Sequence, residues 1–173
     1  MADTKTSAMT QITENTIGDR IYVSQGGNDR YIEIENIGVI NSWTPVVSFG
    51  GSSTGVVVSS SQCYEHRIGQ MVTLTGKVNF DKGSTATGQM TISGFSWPLI
   101  NVTNYRSAST PYVIRMGLAN HTVHIDSFNN SSDLYMVLSQ EGTAASVALT
   151  DTHITATGTD ASVRFSFSYI AAK

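Results

Sequence analysis

Cys63 and His66 are the first residues whose types and spacing suggest chemistry. A thiol and an imidazole three positions apart can bind a metal ion or act as a nucleophile and its base. They stand just before a long alternating run of apolar and polar residues, where side chains three positions apart point to opposite faces of a strand. The sequence has one cysteine and no second Cys/His pair at zinc spacing. The pattern therefore favours a structural role for both.

His121 and His124 form a second pair, separated by two residues within a predicted strand. They too are expected to face opposite sides. Two interpretations stay open. Copies of one histidine from identical chains could meet around a metal ion, or both could be ordinary surface or interface side chains. The second is favoured, and the sequence predicts no metal site.

Paired carboxylates can act as the acid and base of glycoside hydrolysis. The midchain candidates are Glu65, Asp126, Asp133 and Glu141. Each falls in a polar turn or at a predicted strand end, so solvated carboxylates are expected. No Gly-x-Ser-x-Gly serine elbow is present. We predict a protein that is not an enzyme and that has no catalytic residues and no cofactor, against the alternative of a small glycan hydrolase or esterase.

Aromatic residues in predicted loops suggest binding instead. Sugar rings stack on exposed aromatic faces, while arginine or asparagine side chains orient the hydroxyl groups. Trp97 precedes a proline in a loop, and Tyr105 and Arg106 follow in the next polar loop. These three residues are the candidate contacts for a bound sugar. The alternative for Trp97, which we favour, is that it packs as a core or interface anchor.

Composition excludes several classes of protein. The chain has 173 residues, of which 40% are apolar and only 13% are charged, with a net charge of −3. That balance argues against a basic nucleic-acid footprint. The one cysteine cannot form an intrachain disulfide. No apolar run is long enough for a membrane span, and the first residues lack a signal-peptide layout, so we expect synthesis in a cytoplasm and no membrane insertion.

Hydrophobic periodicity predicts strands rather than helices. A period of two recurs along the chain, with turn signals every ten to fifteen residues or so. Residues 21–34 are expected to form a small hairpin closed by a Gly/Asn/Asp turn. One face of the strand predicted over residues 70–80 would carry Val72, Leu74, Val78 and Phe80. A strand over residues 112–118 would carry Tyr112, Ile114, Met116 and Leu118 on one face. The sequence therefore predicts an all-β, jelly-roll-like antiparallel β-sandwich.

From Trp43 onward the chain resembles the C-terminal β-sandwich domain of bacteriophage tail fibres and tailspikes. The resemblance rests on an ordered set of short pieces: Trp43-Thr44-Pro45, Phe49-Gly50-Gly51, Tyr64, Ile68-Gly69, the strand over residues 71–78, Ile92-Ser93-Gly94-Phe95 with Pro98, and Phe167-Ser168-Tyr169-Ile170. Upstream, residues 18–34 look like the short hairpin module near the start of many phage fibre proteins. Each piece alone is weak, and the order makes the set specific.

The resemblance implies a homotrimeric virion protein, assembled in the host cytoplasm. Residues 1–41 would form an N-terminal segment that attaches to other virion proteins of the tail, baseplate or capsid. Residues 42–173 would form the sandwich, which binds a host surface glycan or protein. Some larger members of the family are depolymerases, but their catalytic sites lie in a β-helix for which this sequence shows no repeat. The alternative is a structural virion component, such as a head fibre, decoration or baseplate protein, without receptor binding.

Overall fold

The computed structural model describes residues 20–25, 28–33, 39–100, 102, 106–116, 118, 121–128, 131–140, 146–154 and 161–172. The chain divides into two compact units, residues 1–38 and residues 39–173. In the first unit, β1 (Arg20–Gln25) pairs antiparallel with β2 (Asn28–Glu33), with Gln25 opposite Asn28. The hairpin that the sequence predicts is therefore present.

Among the described residues of the second unit, the regular elements are strands and a short 3₁₀ turn at Asp151–His153. Its strands are β3 (Val39–Ser42), β4 (Val46–Phe49), β5 (Val57–Ile68), β6 (Met71–Asp81), β7 (Met90–Ser93), β8 (Arg106–Ser109), β9 (Tyr112–Ile114), β10 (His121–Phe128), β11 (Asp133–Gln140), β12 (Ser146–Ala148) and β13 (Ala161–Ile170). Strand β3 pairs with β5, so residues 39–41, which the sequence analysis assigned to the N-terminal segment, are part of this unit's sheet. In the described ranges no helix is long and apolar enough to cross a membrane.

Two antiparallel sheets form the second unit. The six-stranded sheet has the order β4-β7-β11-β10-β8, and β12 also pairs with β11. The five-stranded sheet has the order β3-β5-β6-β13-β9. The prediction of an all-β antiparallel sandwich is confirmed. Both sheets turn one apolar face inward, as a sandwich requires.

The core follows the alternation of the longest strands. Strands β6 and β13 pair along their whole length, with Leu74 opposite Phe167 and Val78 opposite Val163. Side chains of β6 that the sequence placed on one face are all fully buried: Val72, Leu74, Val78 and Phe80. The six-stranded sheet contributes Met90, Ile92, Ile125, Leu134, Met136 and Leu138, which are equally buried. Burial of apolar area on this scale is the main favourable term for the fold.

Strand β8 closes one side of the sandwich. It belongs to the six-stranded sheet through β10, yet its serines reach across to the other sheet. The Ser109 hydroxyl donates to the Ser166 carbonyl at 2.8 Å, and the Ser107 hydroxyl donates to the Ser168 carbonyl at 2.5 Å. Side-chain hydroxyls of β8 thus donate hydrogen bonds to carbonyls on a stretch of β13 that β9 does not reach. Such cover is one way to protect a sheet edge from further pairing.

Strand β9 corrects one sequence prediction. The predicted strand over residues 112–118 is too long, because β9 ends at Ile114 and Arg115 adopts a left-handed conformation with φ of 61°. Val113 packs against the core, whereas Tyr112 is 63% exposed. Alternation identifies which residues share a face, but it does not say which face is buried.

Candidate functional site

Trp97 lies in the loop after β7, partly buried and packed against the core. Its carbonyl accepts a hydrogen bond of 2.5 Å from the Tyr169 hydroxyl, and the Arg67 guanidinium lies 5.2 Å from its ring centroid. Arg106 begins β8, but its side chain and the whole of Tyr105 fall outside the described residues. A receptor contact through Trp97, Tyr105 and Arg106 therefore stays a prediction.

Glu65 corrects a second expectation, that the midchain carboxylates are solvated. It lies within β5 and is only 1% exposed. Its two carboxylate oxygens accept from the Ser96 backbone N–H at 2.8 Å and from the Ser96 hydroxyl at 2.6 Å. Burial, and then the charge of Glu65, raise the pKa of the nearby Tyr169 hydroxyl well above its usual range. The carboxylate thus anchors the loop after β7. The two hydrogen bonds explain why this side chain is buried, and no catalytic role is needed to account for it.

The Cys63 and His66 side chains lie on opposite faces of β5, as the spacing predicts. Cys63 is buried, and burial raises the pKa of its thiol to about 11, which disfavours the reactive thiolate. On β10, the His124 Nε2 atom lies 2.7 Å from the Ser139 hydroxyl. Across the described part of the chain, no group of three or more His, Cys, Asp or Glu side chains could hold a metal ion.

A cleft on the outer face of the five-stranded sheet brings together residues that the sequence analysis did not single out. It has a volume of about 280 Å³ and is lined by Lys77, Asn79, Ile114, Arg115, Ser162 and Arg164. Cross-strand pairing positions them, since Lys77 lies opposite Arg164, and Ser162 lies between Asn79 on β6 and Ile114 on β9. We call this the basic groove.

A second concavity adjoins the basic groove. It has a volume of about 270 Å³ and is lined by Ser60, Ser61, Gln62 and Lys77. Lys77 lines both, so the two form neighbouring depressions around one ammonium group. The Asn79 amide donates to the Ser60 hydroxyl at 2.7 Å. This bond holds the amide at the boundary between the two depressions. Most of the residues that line the two depressions are polar and can bond the hydroxyl groups of a saccharide.

Charge in the basic groove has one sign. Three of its lining residues are cationic and none is acidic: Lys77, Arg115 and Arg164. The exposed Tyr112 ring borders it, with the Arg164 guanidinium 5.9 Å from the ring centroid. Its lining residues include no cysteine, histidine or carboxylate. The arrangement can therefore bind by charge, hydrogen bonding and ring contact, but it does not offer a nucleophile paired with a base.

Sequence reasoning missed the basic groove because its cations come from separate strands. Lys77 and Arg164 each occupy a polar position of an alternating strand, and nothing in their local pattern distinguishes them from solvated side chains. Only the pairing of β6 with β13 makes them neighbours. Arg115 was placed inside a predicted strand, where its left-handed backbone could not be anticipated.

Comparison with known proteins shows where a similar fold occurs. No protein-family model and no curated protein matches the chain. The crystal structure of the Dettilon tailspike protein is similar, with a TM-score of 0.56 and 16% identity over 77% of this chain. The match covers 23% of the tailspike chain. The protein thus has a β-sandwich fold that also occurs in a phage tailspike, and the likeness at this identity concerns the fold.

Proposed function

We propose that this protein is a non-enzymatic bacteriophage virion fibre protein whose β-sandwich binds a glycan on the host surface. The observation that carries the proposal is the basic groove with its adjoining concavity, a polar depression on the outer face of a sheet in a fold that a tailspike shares. Its pairing of hydrogen-bonding side chains with an exposed aromatic ring suits a saccharide.

The same proposal includes assembly as a homotrimer in the virion. Supporting it are apolar side chains at the opposite end of the outer face, where Ile68 pairs with Met71 and Met71 pairs with Ile170. Ile68 and Met71 are 54% and 53% exposed, and apolar clusters of this kind are typical of surfaces that meet another chain. Three copies would also offset weak individual glycan sites through avidity. Residues 1–41 are proposed to attach the fibre to the particle.

Binding to bacterial cells tests the receptor role. Fluorescently labelled full-length protein is incubated with a panel of bacterial strains, each before and after periodate oxidation of surface sugars and after protease treatment. We expect binding to a subset of strains that periodate abolishes and protease leaves intact. Binding to no strain, together with binding to virions that lack this protein, would instead support a structural virion component.

Enzymatic activity is tested separately with polysaccharide from the strains that bind. We expect no new reducing ends and no released acetate after prolonged incubation, because the groove combines cations with neutral groups rather than paired carboxylates or an activated serine. Release of reducing ends that scales with protein concentration would contradict the non-enzymatic assignment.

A further inference from the structure

We infer that the basic groove binds the oxyanion of an acidic saccharide, a carboxylate or phosphate carried on a sugar. This inference rests on the proposed function and specifies its ligand class. Lys77 and Arg164 lie directly opposite each other on paired strands. Like charges in that position destabilise a sheet, so the pair costs stability unless an anion lies between them.

No acidic side chain lines the basic groove beside these cations. The Arg164 guanidinium lies 5.9 Å from the centroid of the Tyr112 ring. Arg115 adds a third cation from the edge of the sheet, at a position whose left-handed backbone is disfavoured for any residue with a side chain. Strained positions of this kind concentrate at ligand sites.

Ser162 supplies an independent observation. It occupies a polar position of β13 and lines the basic groove, yet it is only 6% exposed. Its hydroxyl is buried without a hydrogen-bond partner among the described residues. Buried polar atoms are normally paired, so the Ser162 hydroxyl lacks the acceptor that a buried donor usually has. If the Ser162 side chain turns towards the groove when a ligand binds, its hydroxyl gains a ligand oxyanion as acceptor, and the same oxyanion is a counter-ion for Lys77 and Arg164.

The ring of Tyr112 points to a sugar as the carrier of the anion. It is 63% exposed at the border of the groove, held beside Arg164. An exposed aromatic face binds the apolar side of a pyranose ring, while the neutral Gln62 and Asn79 can bond its hydroxyls. The net charge of −3 makes nucleic acid a poorer partner, since its affinity depends on a broad basic surface.

Defined probes test this inference on the full chain. Saturation-transfer difference NMR and titration calorimetry are run with trigalacturonate against its methyl ester, and with mannose 6-phosphate against mannose. We expect at least one acidic probe to bind, its neutral counterpart to bind at least about tenfold more weakly, and affinity to fall as salt is raised. Which acidic probe binds identifies carboxylate or phosphate. Binding of neither acidic probe, or equal binding of each acid and its neutral counterpart, overturns the inference, as does a preference for a short single-stranded DNA.

Variants assign the binding to the groove. Arg164→Gln is expected to weaken the acidic probe about tenfold, because it removes one charge-assisted contact. Thr122→Glu is the matched control, since it makes the same change in net charge at an exposed position on the other sheet, and it should leave affinity unchanged. Ser162→Ala should weaken binding without loss of stability, because the replaced hydroxyl is unpaired in the free protein. Unchanged affinity in both groove variants overturns the assignment.

Cell binding separates this inference from the proposed function. If the unmodified protein and Arg164→Gln bind cells equally well, the receptor role stands and the basic groove is not its site. If the unmodified protein binds acidic sugars through the groove but binds no cells, the ligand chemistry stands and the receptor role fails.

Discussion

Gly76 shows what a single position in β6 requires. A Cβ atom placed there would lie 2.8 Å from the Cys63 sulfur and 2.8 Å from the Phe165 Cζ atom. Glycine in a strand interior costs backbone entropy, and here the close approach of two core side chains explains it. The Phe165 ring fills the space that any other residue at position 76 would occupy.

Gly76→Ala is therefore expected to lower the free energy of unfolding by about 1–3 kcal/mol, the usual cost of overpacking a core. Urea denaturation followed by tryptophan fluorescence measures it. In a Cys63→Ala background the cost should be smaller, because the sulfur no longer meets the new methyl group. A Gly76→Ala protein as stable as the parent would contradict the packing described around this position.

The buried thiol of Cys63 is expected to make the free energy of unfolding depend on pH in the alkaline range. Burial raises the pKa of its thiol from about 9 to about 11, so the folded state keeps the proton that the unfolded chain releases. The contribution of this thiol to stability is fully present below pH 9 and is lost as the pH rises towards 11. Cys63→Ala should show a flatter decline in urea midpoint between pH 9 and 11. Identical slopes for the two proteins would show that the thiol does not take part.

At the scale of elements, Glu65 joins strand β5 to the loop after β7. Both Ser96 hydrogen bonds end on this one carboxylate, and the loop carries Trp97, whose carbonyl in turn accepts from Tyr169. A buried carboxylate is tolerated only when such partners satisfy it. One side chain thus fixes the position of a loop that lies 31 residues further along the chain.

Glu65→Gln should lower the free energy of unfolding by about 1.5–3 kcal/mol, because it removes the charged acceptor and introduces a buried amide donor. Ser96→Ala removes only one of the two bonds and should cost less. In a double-mutant cycle the two changes should be strongly non-additive, since they share one interaction. Additive effects measured by chemical denaturation would mean that Glu65 is held by other groups.

The closing strand β8 gives a second test at this scale. Ser107→Ala and Ser109→Ala each remove a hydroxyl that donates to a β13 carbonyl, and each should cost about 0.5–1.5 kcal/mol. Ser166→Ala is the matched control, because its backbone carbonyl is the acceptor and its exposed side chain takes no part in that bond. Hydrogen exchange of β13 amides should accelerate in the first two variants and not in the control.

For the whole molecule, the prediction to test is assembly as a homotrimer. Light scattering of the purified chain should give three times the monomer mass. Met71→Glu should shift that mass towards the monomer, because it places a charge within the apolar end of the outer face. Val147→Glu changes a side chain that is 50% exposed on the other sheet and should leave the trimer intact. A monomeric parent protein would exclude the homotrimer.

Local sequence patterns are enough to predict the class of fold and much of the core. Alternation with a period of two is a local property, so it correctly grouped Val72, Leu74, Val78 and Phe80 on one face. It also showed that Cys63 and His66 face opposite sides, which removes the first chemical interpretation of that segment. These results depend only on neighbours along the chain.

Which faces are buried, and which polar residues meet, depends on contacts between distant parts of the chain. Glu65 is buried because a loop distant in sequence supplies its donors, and Tyr112 faces outward because edge strand β9 turns Val113 to the core instead. Lys77 and Arg164 share a groove only because β6 pairs with β13. Contacts between strands far apart in sequence depend on the register of the whole sheet, which no local pattern contains.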